Sequence, residues 1–308
     1  MLALGGHRVR TPPDQEGDEV LVSQIIVTTL SLAAIYALIG VSVVVMFRAT
    51  GVLSFAQGSF LLIGSLIFYT MAGHHLGLYL SLIISCLTVG ALGVLTYLIF
   101  FQFAEFDLLF VSLATVGAGT AMVAAATLIW GSNLFEQLAL VPSGAHHWFG
   151  NLVVTDTDIV EIVMAVVLIV GLVALIYRTP IGLRMRAVAS DSALASYAGV
   201  RVRGISALAW GLSAAVAAAA GIGYTLGQII DPSTLPGIGL VVFPAIIIGG
   251  MDSIGGVAVG ALLLALIETL SATYLGSLWQ DVIAYMLLLV ILWVAPSGLF
   301  GSKTVTRV

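Results

Sequence analysis

The chain has 308 residues, of which 60% are hydrophobic and only 8% are charged, and its mean hydropathy is +1.17. A soluble protein carries about 25% charged residues, so this composition excludes a water-soluble domain. The net charge is −5 and the basic residues cluster in one central segment, which excludes an extended nucleic-acid-binding surface. We therefore expect an all-α fold: a polytopic transmembrane helical bundle.

Polar breaks divide the apolar sequence into eight or nine predicted spans. Residues 1–20 form a polar tail that is predicted to be disordered, residues 21–300 form a single transmembrane domain, and residues 301–308 form a second tail. About 20 apolar residues in a helix cross the hydrocarbon core, so the segment 240–248 is short for a span. It either crosses as one of nine spans or is re-entrant and leaves eight. The predicted spans cover residues 24–47, 52–71, 78–101, 108–130, 159–177, 205–227, 240–248, 257–274 and 282–295.

One segment between the spans, residues 178–204, is polar and basic. It holds half of the Lys and Arg residues of the chain against a single acid, Asp191. Short cytoplasmic loops of membrane proteins are rich in Lys and Arg, so the segment is predicted to face the cytosol. With nine alternating spans, Arg48 and the C-terminal tail also lie on the cytosolic side, and the N-terminus lies outside. The basic residues of the segment are Arg178, Arg184, Arg186, Arg201 and Arg203.

A short helix with recognisable ends is predicted inside this segment. Ser190 or Asp191 can cap its N-terminus, the sequence ALASYA can form fewer than two turns, and Gly199 suits a left-handed stop. Such a helix is marginal alone, because nucleation is costly. Its apolar side chains either pack on the spans of this chain or dock on a cytosolic partner, which we favour, with Tyr197 as the anchor. These side chains are Ala193, Leu194, Tyr197 and Ala198.

Two glycine-rich breaks, GVLSFAQG at residues 51–58 and GGMDSIGG at residues 249–256, join apolar segments at the predicted cytosolic side. Each places hydroxyl groups and one larger polar side chain beside flexible backbone. Non-helical backbone at membrane depth is tolerated only where protein or a water-filled cavity covers it. Each break is therefore either part of a solute pathway or hinge, or an ordinary cytosolic turn. The candidate pathway residues are Gly51, Ser54, Gln57, Gly58, Gly249, Gly250, Asp252 and Gly256.

No set of catalytic residues can be recognised in the sequence, and the chain is predicted not to be an enzyme. The one glycine–lysine stretch, GLFGSKT, places Lys303 after Ser302 instead of glycine, so it fails as a phosphate-binding loop. The histidine pairs at 74–75 and 146–147 have no cysteine or carboxylate cluster at ligand spacing, so no metal is expected. We expect the chain to need no cofactor of its own.

Two features inside the predicted spans concern packing. Glu268 is the only carboxylate well inside an apolar span, and it is predicted to be structural, because a proton relay would need a second titratable partner in another span. The fourth span carries small residues on one face, which favours close contact with another helix. These residues are Ala114, Gly117, Ala118 and Ala121.

Three stretches of the chain, in the right order, resemble one family: the LivH-type permease subunits of ABC importers for branched-chain amino acids and related small polar solutes. The stretch ALIGVSVVVMFRATGVLSFAQGSFLLIGS is similar to the opening pair of helices of that family, and TPIGLRMRAVASDSALASYAGV is similar to its cytoplasmic loop. AIIIGGMDSIGGVAVGALLLALIE is similar to its glycine-rich turn and the helix after it. The family usually has Asn, His and Glu where this chain has Ser54, Gln57 and Ser59, so the solute is left open.

This resemblance implies a permease subunit that forms the translocation pathway and is coupled to ATPases in the cytosol. The implied partners are a second homologous permease subunit, two cytosolic ABC ATPases that bind the ATP, and an external solute-binding protein, at the plasma membrane of a bacterium or archaeon. Two alternatives remain: an ion-gradient-driven transporter would favour paired intramembrane carboxylates, and a membrane scaffold would have no use for two polar breaks. The residues expected to couple to the ATPase are Arg186, Asp191, Ala195, Tyr197 and Gly199.

Overall fold

The computed structural model describes residues 12–74, 77–101, 108–135, 144–148, 152–226, 228–294 and 298–300. Within these ranges the chain is almost entirely helical, with one short β-hairpin, which confirms the predicted all-α transmembrane bundle. The predicted tail at 301–308 and the first eleven residues lie outside the described residues. The elements are α1 (Pro12–Thr50), α2 (Gln57–Gly73), α3 (Leu78–Phe101), α4 (Leu108–Trp130), β1 (Ala145–Trp148), β2 (Leu152–Thr155), α5 (Asp156–Arg178), α6 (Pro180–Ser190), α7 (Ser192–Tyr197), α8 (Val202–Leu226), α9 (Leu235–Val241), α10 (Phe243–Gly249), α11 (Ile254–Tyr274), a 3-10 turn (Ser277–Trp279) and α12 (Gln280–Val294).

Seven helices in the described ranges are long and apolar enough to span a membrane. They are the Leu21–Thr50 part of α1, then α3, α4, α5, α8 and α11, and finally Ser277–Val294. The helix α2 has 17 residues, and the α9–α10 pair covers Leu235–Gly249; both are apolar but shorter. The short segment predicted at 240–248 is therefore part of two helices. Pro236 and Pro244 each stand in the first turn of one of them, where proline is tolerated.

The centre of the bundle is formed by α1, α8 and α11. In the most apolar part of α1 and of α8, 78% of the residues are buried, against 22% in α4 and 17% in α5. Small residues let α8 approach its neighbours closely: Gly211 lies against Gly90 of α3, and Gly221 lies against Leu61 of α2. The outer faces of α4, α5 and α12 therefore remain available to lipid or to other chains.

The small-residue face predicted on the fourth span is not covered within the part of this chain that the structure describes. Gly117 has open space around it and Ala121 is exposed. The helix α4 packs on α2 through a different face, on which Thr115, Gly119 and Ala126 are buried. The face around Gly117 is therefore free for a contact outside the described chain.

Two helix boundaries differ from the predictions. The helix α1 begins at Pro12 and so extends into the predicted tail, and proline is compatible with the first turn of a helix. The segment 178–204 contains two helices instead of one. The additional helix, α6, has a legible start: Pro180 occupies its first turn, and the hydroxyl of Thr179 accepts the N–H of Gly182 at 3.1 Å.

The hairpin of β1 and β2 lies at the end of the bundle opposite to α6 and α7, because α5 crosses the bundle between them. It leads into a capping box in which Thr155 and Asp158 close the start of α5. Nε2 of His146 lies 2.8 Å from Oδ1 of Asp156. Of the other histidines in the two pairs considered as metal ligands, residue 75 and the side chain of residue 147 lie outside the described residues. Among the residues that are described, no three His, Cys, Asp or Glu side chains come together as a metal site.

Candidate functional site

The short helix α7 begins where the sequence predicts, at an aspartate cap. Oδ1 of Asp191 accepts the backbone N–H of Leu194 at 2.9 Å. Asp191 has extended backbone and also closes the preceding helix, because its own N–H donates to the carbonyl of Ala187. One residue therefore ends α6 and starts α7. The prediction of a capped helix here is confirmed, with Asp191 and not Ser190 as the cap.

The other end of α7 is closed by a glycine. Gly199 has a φ of +82°, a conformation that L side chains rarely adopt. Its N–H donates to the carbonyl of Ser196, and the N–H of Val200 donates to the carbonyl of Ala195, both at 3.0 Å. This is the Schellman pattern, which satisfies the last carbonyl groups of the helix.

The apolar face of α7 points away from the bundle. Tyr197 is 89% exposed and Leu194 is 64% exposed, whereas Ala195 is buried against the rest of the chain. The alternative that this apolar face packs on the protein's own spans is therefore wrong within the described structure. Arg186 does not share this surface: it belongs to α6, and its guanidinium carbon lies 5.2 Å from the centre of the Tyr177 ring.

The first glycine break, between α1 and α2, lies inside the bundle. Two of its backbone N–H groups, which no helix or strand pairs, donate to hydroxyl groups of α4. The N–H of Leu53 donates to the hydroxyl of Ser112 at 3.1 Å, and the N–H of Phe55 donates to the hydroxyl of Thr115 at 2.8 Å. Ser54 is fully buried and accepts the N–H of Ala56. The sequence predicts this break at the cytosolic side of the membrane. In the structure, protein covers every polar group named here.

Gln57 ties this break to the interior of α8. Its side-chain nitrogen donates to the hydroxyl of Ser213 at 2.8 Å, and Ser213 stands 11 residues beyond Val202, the start of α8. At about 1.5 Å per residue this is about 16 Å along α8. Gly58, the next residue, packs so closely on the backbone of Pro236 that no side chain fits there. The break is therefore held by both α8 and α9.

A cleft of about 650 Å³ opens beside the break, between α4 and α9. Its size is in the range of small-molecule sites. Phe55 and Ser59 are the residues around the break that line it, whereas Ser54 and Gln57, predicted as pathway residues, turn into the bundle. The polar side chains along it are Ser59, Thr120, Thr127, Ser132 and Ser233, and the apolar ones include Leu113, Val116, Val123 and Leu240.

The second glycine break is a tight turn between α10 and α11. Gly250 has a φ of +98°, and Gly249 and Gly256 are in backbone contact. The hydroxyl of Ser253 caps α11 by accepting the N–H of Gly256 at 3.0 Å. None of its four predicted pathway residues, Asp252 included, lines the 650 Å³ cleft. The break thus has the geometry of a turn, and its role as a pathway lining or hinge stays a prediction.

Glu268 is fully buried, and it has a titratable neighbour that the sequence did not reveal. The hydroxyl of Tyr36, on α1, donates to Oε2 of Glu268 at 2.6 Å, and the side-chain nitrogen of Gln280 lies 3.3 Å from the same atom. A tyrosine in an apolar run is indistinguishable from a core residue, so sequence reasoning missed this contact. Tyr36 is a titratable partner in another span, so the reason for which the sequence excluded a proton relay no longer holds. The hydrogen bond joins α1 to α11, and the structural role of Glu268 stays a prediction.

Apolar helices around a buried break and an open cleft define a multi-spanning membrane permease. Residues 25–292 match the family described as branched-chain amino acid transport system permease components, and the chain belongs to this family. It is 27% identical to the high-affinity branched-chain amino acid transport permease LivH of Salmonella typhimurium strain LT2, over 91% of this chain and 95% of that protein. It is 26% identical to the high-affinity branched-chain amino acid transport permease BraD of Pseudomonas aeruginosa, over 92% of this chain and 97% of that protein.

An archaeal protein extends this similarity across domains of life. The probable branched-chain amino acid transport permease LivH of Methanocaldococcus jannaschii is 27% identical over 86% of this chain and 88% of that protein. No solved structure matches the chain. Membership of the family confirms the resemblance carried by the three stretches, and nothing in these similarities supports an ion-driven transporter better.

Proposed function

We propose that the chain is the pathway-forming permease subunit of an ABC importer, and that solutes cross the membrane along the cleft between the first break, α4 and α9. The observation that carries this proposal is the cleft itself, because an open volume between α4 and α9 meets non-helical backbone there. Irregular backbone at membrane depth is a recurring feature of transport pathways.

The proposed solutes are branched-chain amino acids or related small polar solutes. The LivH and BraD relatives are named for branched-chain amino acids. The cleft supports this choice, since apolar walls such as Leu113 and Val123 stand beside the hydroxyls of Thr120 and Thr127. No charged side chain is among the described residues that line it. An aliphatic side chain would contact the walls, and without a charged partner the solute would be held weakly enough to pass.

The proposed contact with a cytosolic ATPase is α7. Tyr197 and Leu194 offer apolar surface, while Asp191, Ala195 and Gly199 fix the shape of the helix. Interface energy concentrates in aromatic residues that become buried, so Tyr197 is the proposed anchor. Because Arg186 lies on α6 over Tyr177, the proposed docking surface consists of the α7 residues alone.

Movement of α7 has a direct route to the cleft. The helix α7 contacts both α6 and α8, and α8 holds Gln57 through Ser213. Closure of the ATPases would displace α7, and a shift of α8 would then reach the break that lines the cleft. ATP would be bound by the partner subunits, so this subunit needs no cofactor and carries out no enzymatic step.

The remaining partners and the orientation complete the proposal. A second homologous permease subunit would cover the open face of α4 around Gly117, and an external solute-binding protein would deliver the solute. The location is the plasma membrane of a prokaryote, with α6 and α7 in the cytosol. In a Cys86→Ala background, Ser196→Cys should react with an impermeant thiol reagent only after cells are opened. Rapid labelling of intact cells contradicts this orientation.

The cleft is tested by filling it. Thr120→Trp places a large ring in the open cleft and should obstruct the solute, and an added barrier of about 1.4 kcal/mol would slow uptake by about tenfold. Leucine uptake by the reconstituted importer is the measurement, and the ATPases should still copurify. Thr88→Trp is the matched control, because Thr88 is also an exposed threonine bonded only to its own helix, on α3. Wild-type uptake by Thr120→Trp would contradict the proposed pathway.

A further inference from the structure

A narrow cleft at the arginine-rich end of the bundle contains two arginines from different helices. It is formed by the last turns of α1 and α5, by α6, and by the first residue of α11. Arg48 and Arg186 both line it, and Val45, Ile176 and Ile254 provide apolar walls. Because α1 and α5 both end here, the cleft lies at the boundary between the bilayer and water.

Arg186 is partly buried and lacks an acceptor. Its Nε atom is shielded from solvent and has no hydrogen-bond partner within the described part of the chain. The guanidinium lies over the ring of Tyr177, which orients its remaining N–H groups. A buried, unpaired donor on a cation is costly, so this geometry calls for an anionic acceptor that the chain itself does not provide.

Arg48 also lacks a counter-ion within the described residues. It stands in the last turn of α1 and is partly buried, and neither it nor Arg186 has a carboxylate within ion-pair distance among the described residues. The negative end of a helix dipole favours an arginine there, but by less than about 1 kcal/mol at an exposed site. Two guanidinium groups without a counter-ion therefore share one cleft.

We propose that Arg48 and Arg186 bind the phosphate of an anionic phospholipid. Arginine forks match phosphate oxygens in bidentate geometry, and basic pockets between helices at a membrane surface bind acidic headgroups. The cleft encloses only about 20 Å³ and its apolar walls are buried, so the oxygens of a headgroup phosphate would enter it while the acyl chains stay outside. Its position at the ends of α1 and α5, two helices long enough to span a membrane, favours a lipid over a soluble anion. Tyr177, which is half exposed, is placed as an interfacial aromatic residue beside the headgroup.

A bound lipid would have a mechanical consequence for this fold. The two arginines come from α1 and α6, so one phosphate would clamp α6 to the centre of the bundle. The next helix along the chain is α7, and Asp191 joins the two helices directly. The lipid would thus hold α7 in position, whether or not α7 binds an ATPase.

The test is a titration of the purified full-length chain in detergent with phosphatidylglycerol, followed by native mass spectrometry. Arg48→Gln and Arg186→Gln should each weaken binding by about tenfold, the loss expected for one charge-assisted hydrogen bond. Arg184→Gln is the matched control, since Arg184 is an exposed arginine of the same helix that does not line the cleft. It should keep the wild-type affinity. Phosphatidylcholine, which has no net charge, should bind more weakly than phosphatidylglycerol.

Three results would overturn the proposal. Equal losses in Arg184→Gln and Arg186→Gln mean a diffuse attraction between a basic surface and acidic lipid. Displacement of the lipid by inorganic phosphate at comparable concentration means that the site takes a soluble phosphate. Unchanged binding in Arg186→Gln and Arg48→Gln, with folded protein confirmed by its thermal unfolding, means that both guanidinium groups are simply hydrated.

Discussion

The side-chain nitrogen of Gln57 donates a 2.8 Å hydrogen bond to the hydroxyl oxygen of Ser213, 156 residues further along the chain. Both side chains are fully buried, and the bond ties the first residue of α2 to the interior of α8. The helix α2 continues from the break beside the cleft, and the helix α8 contacts α7. The bond is therefore a direct connection between the proposed pathway and the proposed docking surface.

Gln57→Leu should reduce or alter transport without releasing the ATPases. The change removes the bond and leaves the hydroxyl of Ser213 unpaired, at a cost of about 1–3 kcal/mol. Because the break beside the cleft loses its tie to α8, we expect leucine uptake to fall, or the preference among small solutes to change. The measurement is uptake by the reconstituted importer, with subunit composition checked by copurification.

A matched control separates this effect from a general loss of packing. Ser85→Ala also removes one buried hydrogen bond of α2, to the carbonyl of Gly64 at 2.6 Å, but away from the break. It should leave the solute preference and the uptake rate close to wild type. If Gln57→Leu and Ser85→Ala behave alike, Gln57 has no special part in the pathway.

The Tyr36–Glu268 hydrogen bond should matter for stability and little for transport. Tyr36→Phe deprives a buried carboxyl of a donor and should lower the free energy of unfolding by about 1–3 kcal/mol. Glu268→Gln keeps the shape and the hydrogen-bonding capacity, so uptake should stay near the wild-type rate across pH. Thermal unfolding of the purified permease and uptake against pH are the measurements. A collapse of uptake in a correctly assembled Glu268→Gln complex would show a proton or solute role instead.

Asp231 carries a pH-dependent contact at the mouth of the cleft, next to Pro232 and Ser233, which line it. Hydrogen bonds from the hydroxyl and N–H of Ser233, and from the hydroxyl of Thr234, lower the pKa of Asp231 below its ordinary value of 3.8. The folded carboxyl is thus harder to protonate than the unfolded one. Its contribution to stability is present above pH 3.8 and is lost as the pH falls through the lowered pKa.

Ser233→Ala tests this relationship. It removes the hydroxyl donor, so the titration midpoint of the Asp231 carboxyl, followed by carbon NMR, should rise toward 3.8. Ser132→Ala, a change of another cleft serine, should leave the midpoint where it is. A midpoint that does not respond to Ser233→Ala would mean that the hydroxyl is not what lowers the pKa of Asp231.

The helix α7 and the transmembrane spans could be predicted because their signals are local. An aspartate cap, a glycine stop and runs of apolar residues act within a few neighbours, and Asp191 and Gly199 do what their positions indicate. The missed helix α6 belongs to the same class, since Thr179 and Pro180 mark its start. The many charged residues of the segment 178–204 made it read as a loop, although Thr179 and Pro180 predict the start of a helix there.

The cleft and the buried carboxyl contact could not be predicted, because they depend on distant parts of the chain. Tyr36 and Glu268 are separated by 232 residues, and only packing of α1 against α11 brings them together. The polar residues of the first break illustrate the same limit. Sequence identifies Gln57 as a pathway candidate, but its hydrogen bond to Ser213 of α8 turns it inward, while Ser59, two residues further on, lines the cleft.

The exposed Tyr197 carries the most direct test of the account. Tyr197→Asp places a charge in the centre of the proposed interface, where an unpaired buried charge is strongly unfavourable. The measurement is the ratio of ATPase to permease in complexes purified from the membrane. Tyr274→Asp is the matched control, because Tyr274 is also largely exposed but ends α11 at the opposite end of the bundle. We predict that complexes carrying Tyr197→Asp lose the ATPases and that ATP hydrolysis no longer drives uptake, while the bundle stays folded. Complexes carrying Tyr274→Asp should retain the ATPases. A Tyr197→Asp complex that keeps its ATPases at the wild-type ratio and transports normally would contradict the central claim.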